Sequence, residues 1–424
     1  MNDLQDPPVQ VPPYIRRVKI HDHAPLRNVK VDFKRGLNII IGHNGAGKTR
    51  FLSLLNDLAD LQENKKHFQG AECQLTFGGV FTEQTAVTVE FEGYADTLVE
   101  AQNLAWDIVR KELPGVHLTD RYSEYLGEAR TVENFLEAYP PMFIAHGTPS
   151  SGLPILDESA ELVLEKRGTF ILMNDRSRRI DELNSRFSQA VVRSIVRLIR
   201  NGFTVLNGVP APPPTPDIVR QWVLKIMGEY TDFLNKILPL YSPVQEVRCN
   251  EYFQVYHQET QEQFAIKGLV LEYQLNGEWL SFRMLSDGTK RLVYIISDIF
   301  APDSISLDKR TDEMRIATQK RKTVFLEEPE LGIHPAQLTK LLNLIREVSK
   351  EHQVIMTTHA PQVLDMLTEK ELNRITICEL DPKKGTQFRK LSRTKQAQAR
   401  EYMREVGFLS DYWRYSFLEA AEAE

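Results

Sequence analysis

Residues Gly36 to Leu55 read GLNIIIGHNGAGKTRFLSLL, and this stretch decides the fold. Its opening run, Leu37 to Ile41, is almost wholly apolar and β-branched, which suits a strand buried on both faces near the centre of a largely parallel sheet. Gly42 to Thr49, GHNGAGKT, then match the pattern G-x-x-x-x-G-K-[ST] at every fixed position. Beyond the loop, Phe51, Leu54, Leu55 and Leu58 recur at helical spacing. A glycine-rich turn between a buried strand and a helix is the context a phosphate cradle requires. Glycines 42, 45 and 47 let the backbone wrap closely, so that successive N–H groups and a helix N-terminus face an anion. The implied ligand is ATP with Mg2+, held by Gly42, His43, Asn44, Gly45, Ala46, Gly47, Lys48 and Thr49. Lys48 is expected to reach the β and γ phosphates, and Thr49 the metal.

Three further elements follow in a fixed order. In TVFLEEPELGIHP, Thr323 to Pro335, four strand-like residues end at adjacent acids. Glu327 is the candidate metal ligand, while Glu328 is placed to orient or deprotonate an attacking water. Two carboxylates after a buried strand are costly to desolvate unless something uses them, which argues against a merely solvated turn. LSDGTKR, Leu285 to Arg291, precedes a helix marked by Leu292, Ile295, Ile296 and Ile299. On its own that motif is also what a capped surface helix looks like. QVIMTTHAP, Gln353 to Pro361, is another buried strand ending in a histidine, 31 residues after Glu328. His359 is placed to hydrogen-bond the γ-phosphate, and His334 in GIHP could belong to a subunit contact.

With these four elements in this order, the sequence resembles the ATPase heads of the SMC, RecF and OLD (overcoming lysogenization defect) group of the ABC superfamily. The resemblance covers roughly residues 14–93 and 265–380. It implies an α/β P-loop head, a mixed sheet flanked by helices, interrupted by a largely helical insertion. It also implies a composite site: ATP bound by the phosphate loop of one subunit meets Ser286, Asp287 and Gly288 of a second copy, so the expected partner is the chain itself, as a homodimer or higher oligomer. Asp287 departs from the glycine usual in transporter signatures, Glu327 stands where aspartate is more common, and the metal-sensing glutamine stays open between Gln74 and Gln84. The EEPELGIHP stretch is similar to the OLD-like branch of prokaryotic defence systems. Complete OLD proteins carry a TOPRIM nuclease needing an Asp-x-Asp pair; the 65 residues after His359 contain none. The expectation is an ATPase like those of Septu-like systems, which works with a separately encoded nuclease or toxin effector. The alternative is a RecF-like or SMC-like DNA repair or maintenance clamp that binds nucleic acid as an ATP-closed dimer. A transport motor fits the acidic segment poorly.

Composition agrees with a folded chain: of 424 residues, 42% are apolar and 26% charged. The formal charge of −6 supplies no global attraction for nucleic acid. No apolar run approaches the ~18 residues of a bilayer span, and MNDLQDPPVQVPPY has neither a basic leader nor an apolar core, so a cytoplasmic protein without a membrane partner is expected. Cys73, Cys249 and Cys378 lie far apart and read as buried thiols. The expected organisation is residues 1–94 as the first part of the head, 95–250 as a mostly helical insertion, 251–380 as the second part of the head, and 381–424 as a helical tail. AECQLTFGGVF and QTAVTVEFEGY read as a meander of the first part. Arg193, Arg197 and Arg200 form a basic helical face, read as solvated. VPAPPPTPD, Val209 to Asp217, is an extended break, with Thr215 set to cap the next helix and Pro216 at its first position. A turn is expected at Asn276-Gly277. No heptad run announces a long coiled-coil arm.

Overall fold

The computed structural model describes residues 14–23, 25–59, 72–78, 86–92, 142–145, 161–165, 170–173, 179–180, 191–192, 194–195, 215–258, 263–301, 304–308, 313–317 and 323–415. Gln84, Arg193, Arg197, Arg200 and residues 209–214 of the proline-rich break lie outside them, as does 95–141 of the insertion. The chain divides into two compact units. The first comprises Met1–Ile144, Arg321–Glu330 and Leu342–Glu424; the second comprises Ala145–Lys320 and Leu331–Leu341. The second unit thus runs past Asn250, where the sequence places the end of the insertion, and takes in the LSDGTKR segment.

The first unit is built on one mixed sheet. Its parallel centre is β3 (Leu37–Ile41), flanked by β18 (Gln353–Thr358) and β19 (Ile375–Asp381), with β17 (Thr323–Glu327) parallel to β18. Every residue of β3 and β18 is buried, as the apolar runs require. Beyond β19 come β20 (Gly385–Lys390), antiparallel to it, and then a meander of β2 (Leu26–Asp32), β1 (Tyr14–His23), β4 (Glu72–Gly78) and β5 (Ala86–Glu92). β6 (Met142–Ala145) closes the other edge beside β17. The order is β5-β4-β1-β2-β20-β19-β3-β18-β17-β6. α1 (Lys48–Ala59) covers one face: Phe51, Leu52, Leu54 and Leu55 pack with Val18, Ile20, Ile40, Leu75, Phe325 and Ile355. Phe51 also meets Phe388 of β20, ring centroids 4.7 Å apart. The tail expected to be helical from 381 therefore begins with a strand of the main sheet; helices follow as α5 (Arg393–Glu405) and α6 (Leu409–Tyr415).

The second unit holds α2 (Pro216–Tyr241), capped as expected by the Thr215 hydroxyl, which accepts from Ile218 N at 3.4 Å. Its Val219, Val223, Ile226, Tyr230, Leu234 and Leu238 form a buried stripe at helical spacing. β10 (Glu246–Cys249), β13 (Leu271–Leu275) and β14 (Glu278–Ser281) form a three-stranded antiparallel sheet. The turn joining β13 to β14 is the expected Asn276-Gly277, at φ 52° and 85°, the left-handed pair a two-residue hairpin demands. A second sheet has the order β11 (Gln254–Gln258), β12 (Gln263–Lys267), β7 (Glu161–Glu165), β8 (Phe170–Met173) and β9 (Arg179–Ile180), and β15 (Ser304–Asp308) pairs with β16 (Glu313–Ala317). Of the segment 95–250, read as mostly helical, the described residues hold helix at 191–192, at 194–195 and in α2, and four strands between Met142 and Ile180. Short apolar runs such as FILM fit a buried strand as well as a buried helix, and only their pairing decides.

Candidate functional site

The phosphate loop leaves β3 at Gly42 and enters α1 at Lys48. Gly45 and Gly47 have φ of 80° and 102°, and a Cβ on Gly47 would collide with the Thr386 hydroxyl of β20. A Cβ on Gly42 would likewise strike the Cys378 carbonyl of β19. The loop is thus pressed onto the β19–β20 hairpin at two places where only glycine fits. Lys48 is 4% exposed, and its ammonium donates to the carbonyls of Gly42 (2.8 Å) and His43 (3.0 Å). His43, Asn44 and Gly45 form the exposed rim, Ala46 is buried, and Thr49 is exposed in the first turn of α1. Cys378 donates to Ala46 O at 3.4 Å. Burial pushes its thiol up to about 12, with Lys48 opposing and Glu379 assisting, so it packs under the loop as a neutral group. Cys249 is also pushed up to about 12, by burial, then by Glu251 and Glu272.

Parallel register delivers the other groups. Glu327 pairs with Thr357, and Thr358 with Ile41, so β17, β18 and β3 end side by side where the loop begins. Glu328 is the first residue past β17 and holds φ 40°, a strained value for a side chain of its size. Its N–H donates to Thr357 O at 2.9 Å, fixing the turn. Its Oε1 lies 3.5 Å from Lys48 Nζ and 3.4 Å from His359 Nδ1. Three residues separated by up to 311 positions therefore meet at one carboxylate oxygen (359 minus 48). Glu327 is half-buried at the strand end opposite Thr357.

One member of this cluster was not singled out from sequence. The side chain of Glu330 is 5% exposed; its Oε1 accepts from Thr358 Oγ1 at 2.5 Å and from His359 N at 3.3 Å, and lies 3.7 Å from His359 Nδ1. The signal was present as a third glutamate in EEPE, in a segment that must turn beside a buried strand end. Gln74 lies within β4, which four strands separate from β3.

The Lys48, Thr49 and loop N–H groups fit a magnesium nucleotide. Thr357 Oγ1, Glu330 Oε2, His359 Nδ1 and Thr386 Oγ1 are buried at or beside the loop without a hydrogen-bond partner, leaving polar groups with capacity for a ligand. Among the described residues no group of three or more His, Cys, Asp or Glu could hold a metal by itself. A magnesium ion carried in with phosphates needs little more than Thr49 and one carboxylate such as Glu327.

The LSDGTKR segment lies in the second unit and is shaped by local rules. Ser286 caps α3 (Asp287–Phe300), its Oγ accepting from Thr289 N at 3.3 Å. Leu292, Ile295, Ile296 and Ile299 are buried as predicted. The Asp287 side chain is 83% exposed, and Gly288 lies so close to the Gly332 carbonyl that a Cβ has no room. In the same unit His334 opens α4 (Pro335–Glu351): its carbonyl accepts from Gln337 N and Leu338 N, and its Nδ1 from Ala336 N at 3.3 Å. Among the described residues no helix is long and apolar enough to cross a membrane.

Two protein-family profiles match the chain. One, described as "AAA domain, putative AbiEii toxin, Type IV TA system", spans residues 170–365; the other, described as "AAA domain", spans 17–134. The loop falls in the second match; Ser286, Glu328 and His359 fall in the first. Solved structures similar to this chain include an SMC head bound to the C-winged helix domain of ScpA, at 13% identity and TM-score 0.44 over 90% of this chain and 99% of that one. Others are the Smc head with an extended coiled coil bound to the C-terminal domain of ScpA from Pyrococcus furiosus (13%, TM-score 0.44, 93% and 100% covered) and the SMC head domain from Thermotoga maritima (12%, TM-score 0.38, 89% and 99% covered). The chain is thus similar to AAA domains over 17–134 and 170–365, and the loop together with the paired acids at the end of β17 gives the site of a P-loop nucleotide-binding domain. Within it, phosphate loop, acidic strand and histidine strand stand on one mixed sheet flanked by helices.

Proposed function

We propose that the chain hydrolyses ATP at a site completed by a second copy of itself, and that this cycle controls a separately encoded nuclease or toxin in prokaryotic anti-phage defence. The observation that carries the catalytic part is the meeting of Lys48, Glu328 and His359 within 3.5 Å at adjoining strand ends. Magnesium bound with the nucleotide supplies neutralisation of phosphate charge. Lys48 leaves the carbonyls of Gly42 and His43 to donate to phosphate oxygens, exchanging bonds to neutral acceptors for bonds to anionic ones. Glu328, held by its turn beside Thr357, orients the attacking water and takes up its proton. His359 donates to the γ-phosphate and so makes its presence felt at Glu328. Ser286, Asp287 and Gly288, at the exposed start of α3, are the groups offered to a partner's nucleotide. The effector role rests on the likeness of the EEPELGIHP stretch to the OLD-like branch of defence systems.

The test is solution mass by light scattering of Glu328→Gln with and without magnesium-ATP, together with its turnover. Expected are a larger ATP-dependent species and turnover lower by about 100-fold or more, the usual share of a positioned base. A protein that stays monomeric with ATP bound rules out the shared site.

A further inference from the structure

We infer that Glu330 is the positioning residue for His359, holding the imidazole against Glu328 so that the two strand ends act as one unit. This inference rests on the hydrolytic reading above and gives a role to a buried carboxylate which that reading leaves unused.

Two ties brace the ends of β17 and β18. The first is the backbone bond from Glu328 N to Thr357 O; the second is the Glu330 carboxylate. The Thr358 hydroxyl has one proton, and the Glu330 oxygen at 2.5 Å takes it in preference to the Ala360 carbonyl at 3.3 Å. The same hydroxyl accepts from Ala360 N at 2.9 Å, while Glu330 Oε1 accepts from His359 N. The turn Thr358-His359-Ala360 is therefore tied to Glu330 from both sides, and the direction in which His359 leaves the sheet is set by this carboxylate. Glu330 sits two residues past Glu328 in the strained EEPE turn, so any shift of Glu328 is passed to the histidine through a stiff connection. A carboxylate 5% exposed with only neutral donors bonded to it is unfavourable in a structure selected for stability alone. It lies 3.7 Å from His359 Nδ1, with Glu328 3.4 Å from the same nitrogen, so the imidazole edge stands between two carboxylates without yet making a hydrogen bond to either.

The experiment is a double-mutant cycle in kcat, using the full chain. Glu330→Ala is expected to lower kcat roughly 10- to 100-fold, as loss of an orienting outer partner does, with affinity for a fluorescent ATP analogue unchanged because no loop group is touched. Glu330→Gln keeps an acceptor oxygen for Thr358 and His359 N and is expected to recover part of the loss; Thr358→Val is expected to reproduce part of it. Once His359→Ala is present, adding Glu330→Ala is expected to change kcat less than threefold. Fully additive losses, or a fall in nucleotide affinity equal to that in kcat, overturn the inference. The imidazole NMR signals of His359, assigned through His359→Asn, give a readout independent of turnover. They are expected to move in Glu330→Gln, and unmoved signals overturn the positioning role whether or not the protein hydrolyses ATP. Absence of turnover in the unmodified chain would instead count against the ATPase reading, leaving the spectra to decide on Glu330.

Discussion

The parallel strands of the first unit begin and end in opposite chemical conditions. Where they begin, buried polar groups are closely paired. Gln353 accepts from Ile15 N and Thr323 Oγ1 and donates to Ile15 O and Lys34 O; Asn38 accepts from Lys34 N and donates to Lys34 O and Gly36 O; Arg374 donates to Arg35 O and Leu37 O. Where they end, Thr357 Oγ1, Glu330 Oε2 and His359 Nδ1 lack partners, Glu328 is held at φ 40°, and Lys48 is turned onto its own loop. Both ends belong to the same strands, so the difference is one of purpose. The satisfied end closes loops onto the sheet, whereas the unsatisfied end, under the proposed function, keeps donors and acceptors in reserve for a reactant.

Crossing the two ends gives the largest expected effects. Lys48→Ala removes a cation that no other described loop residue replaces; ATP affinity is expected to fall by about 100-fold or more, roughly 3 kcal/mol, measured by titration with a fluorescent nucleotide. Its thermal midpoint should move little, since the lysine's hydrogen bonds go to carbonyls of its own loop and its ion pair with Glu328 is long, at 3.5 Å. Gln353→Leu should do the reverse. It takes the side-chain partner from the buried N–H and carbonyl of Ile15, a loss of about 2–4 kcal/mol that lowers the thermal midpoint by several degrees, with nucleotide affinity in the folded fraction unchanged. If Gln353→Leu weakens ATP binding as much as Lys48→Ala does, the separation of the two ends is false.

The same contrast governs what sequence could reveal. The phosphate loop, the acidic pair and the histidine strand were legible because each is a contiguous motif whose chemistry restricts residue type. The Thr215 and Ser286 caps were legible because capping is local. Glu330 was not, since its role depends on Thr358, which lies 28 residues away on the next strand. Gln353 reads as an ordinary strand residue until β1 is brought alongside it from the other end of the chain. β6 to β9 were not singled out because short apolar runs carry no period of their own. Local grammar thus identified the reactive end and left the satisfied end, built wholly from distant partners, to the structure.

Lys390 is a partly buried cation at the satisfied end. Its ammonium donates to Thr376 Oγ1 at 2.7 Å. Burial pushes it down to about 8, with Asp32 opposing and Lys34 and Arg374 assisting. The unfolded chain keeps this proton up to the ordinary lysine range, about 10.4. Below about 8 both states are charged, and the folded protein bears the full penalty; between about 8 and 10.4 the folded state sheds the proton first, and the penalty fades. Replacing both partners, Lys390→Met with Thr376→Val, is therefore expected to stabilise the protein at pH 7 by on the order of 1 kcal/mol, allowing for the solvent that still reaches the ammonium. That advantage should shrink as pH approaches 10 in paired urea denaturation curves. An advantage that stays constant across this range means that Lys390 sits charged without penalty. The satisfied end would then have no weak point among these groups, and the contrast with the reactive end would be sharper still.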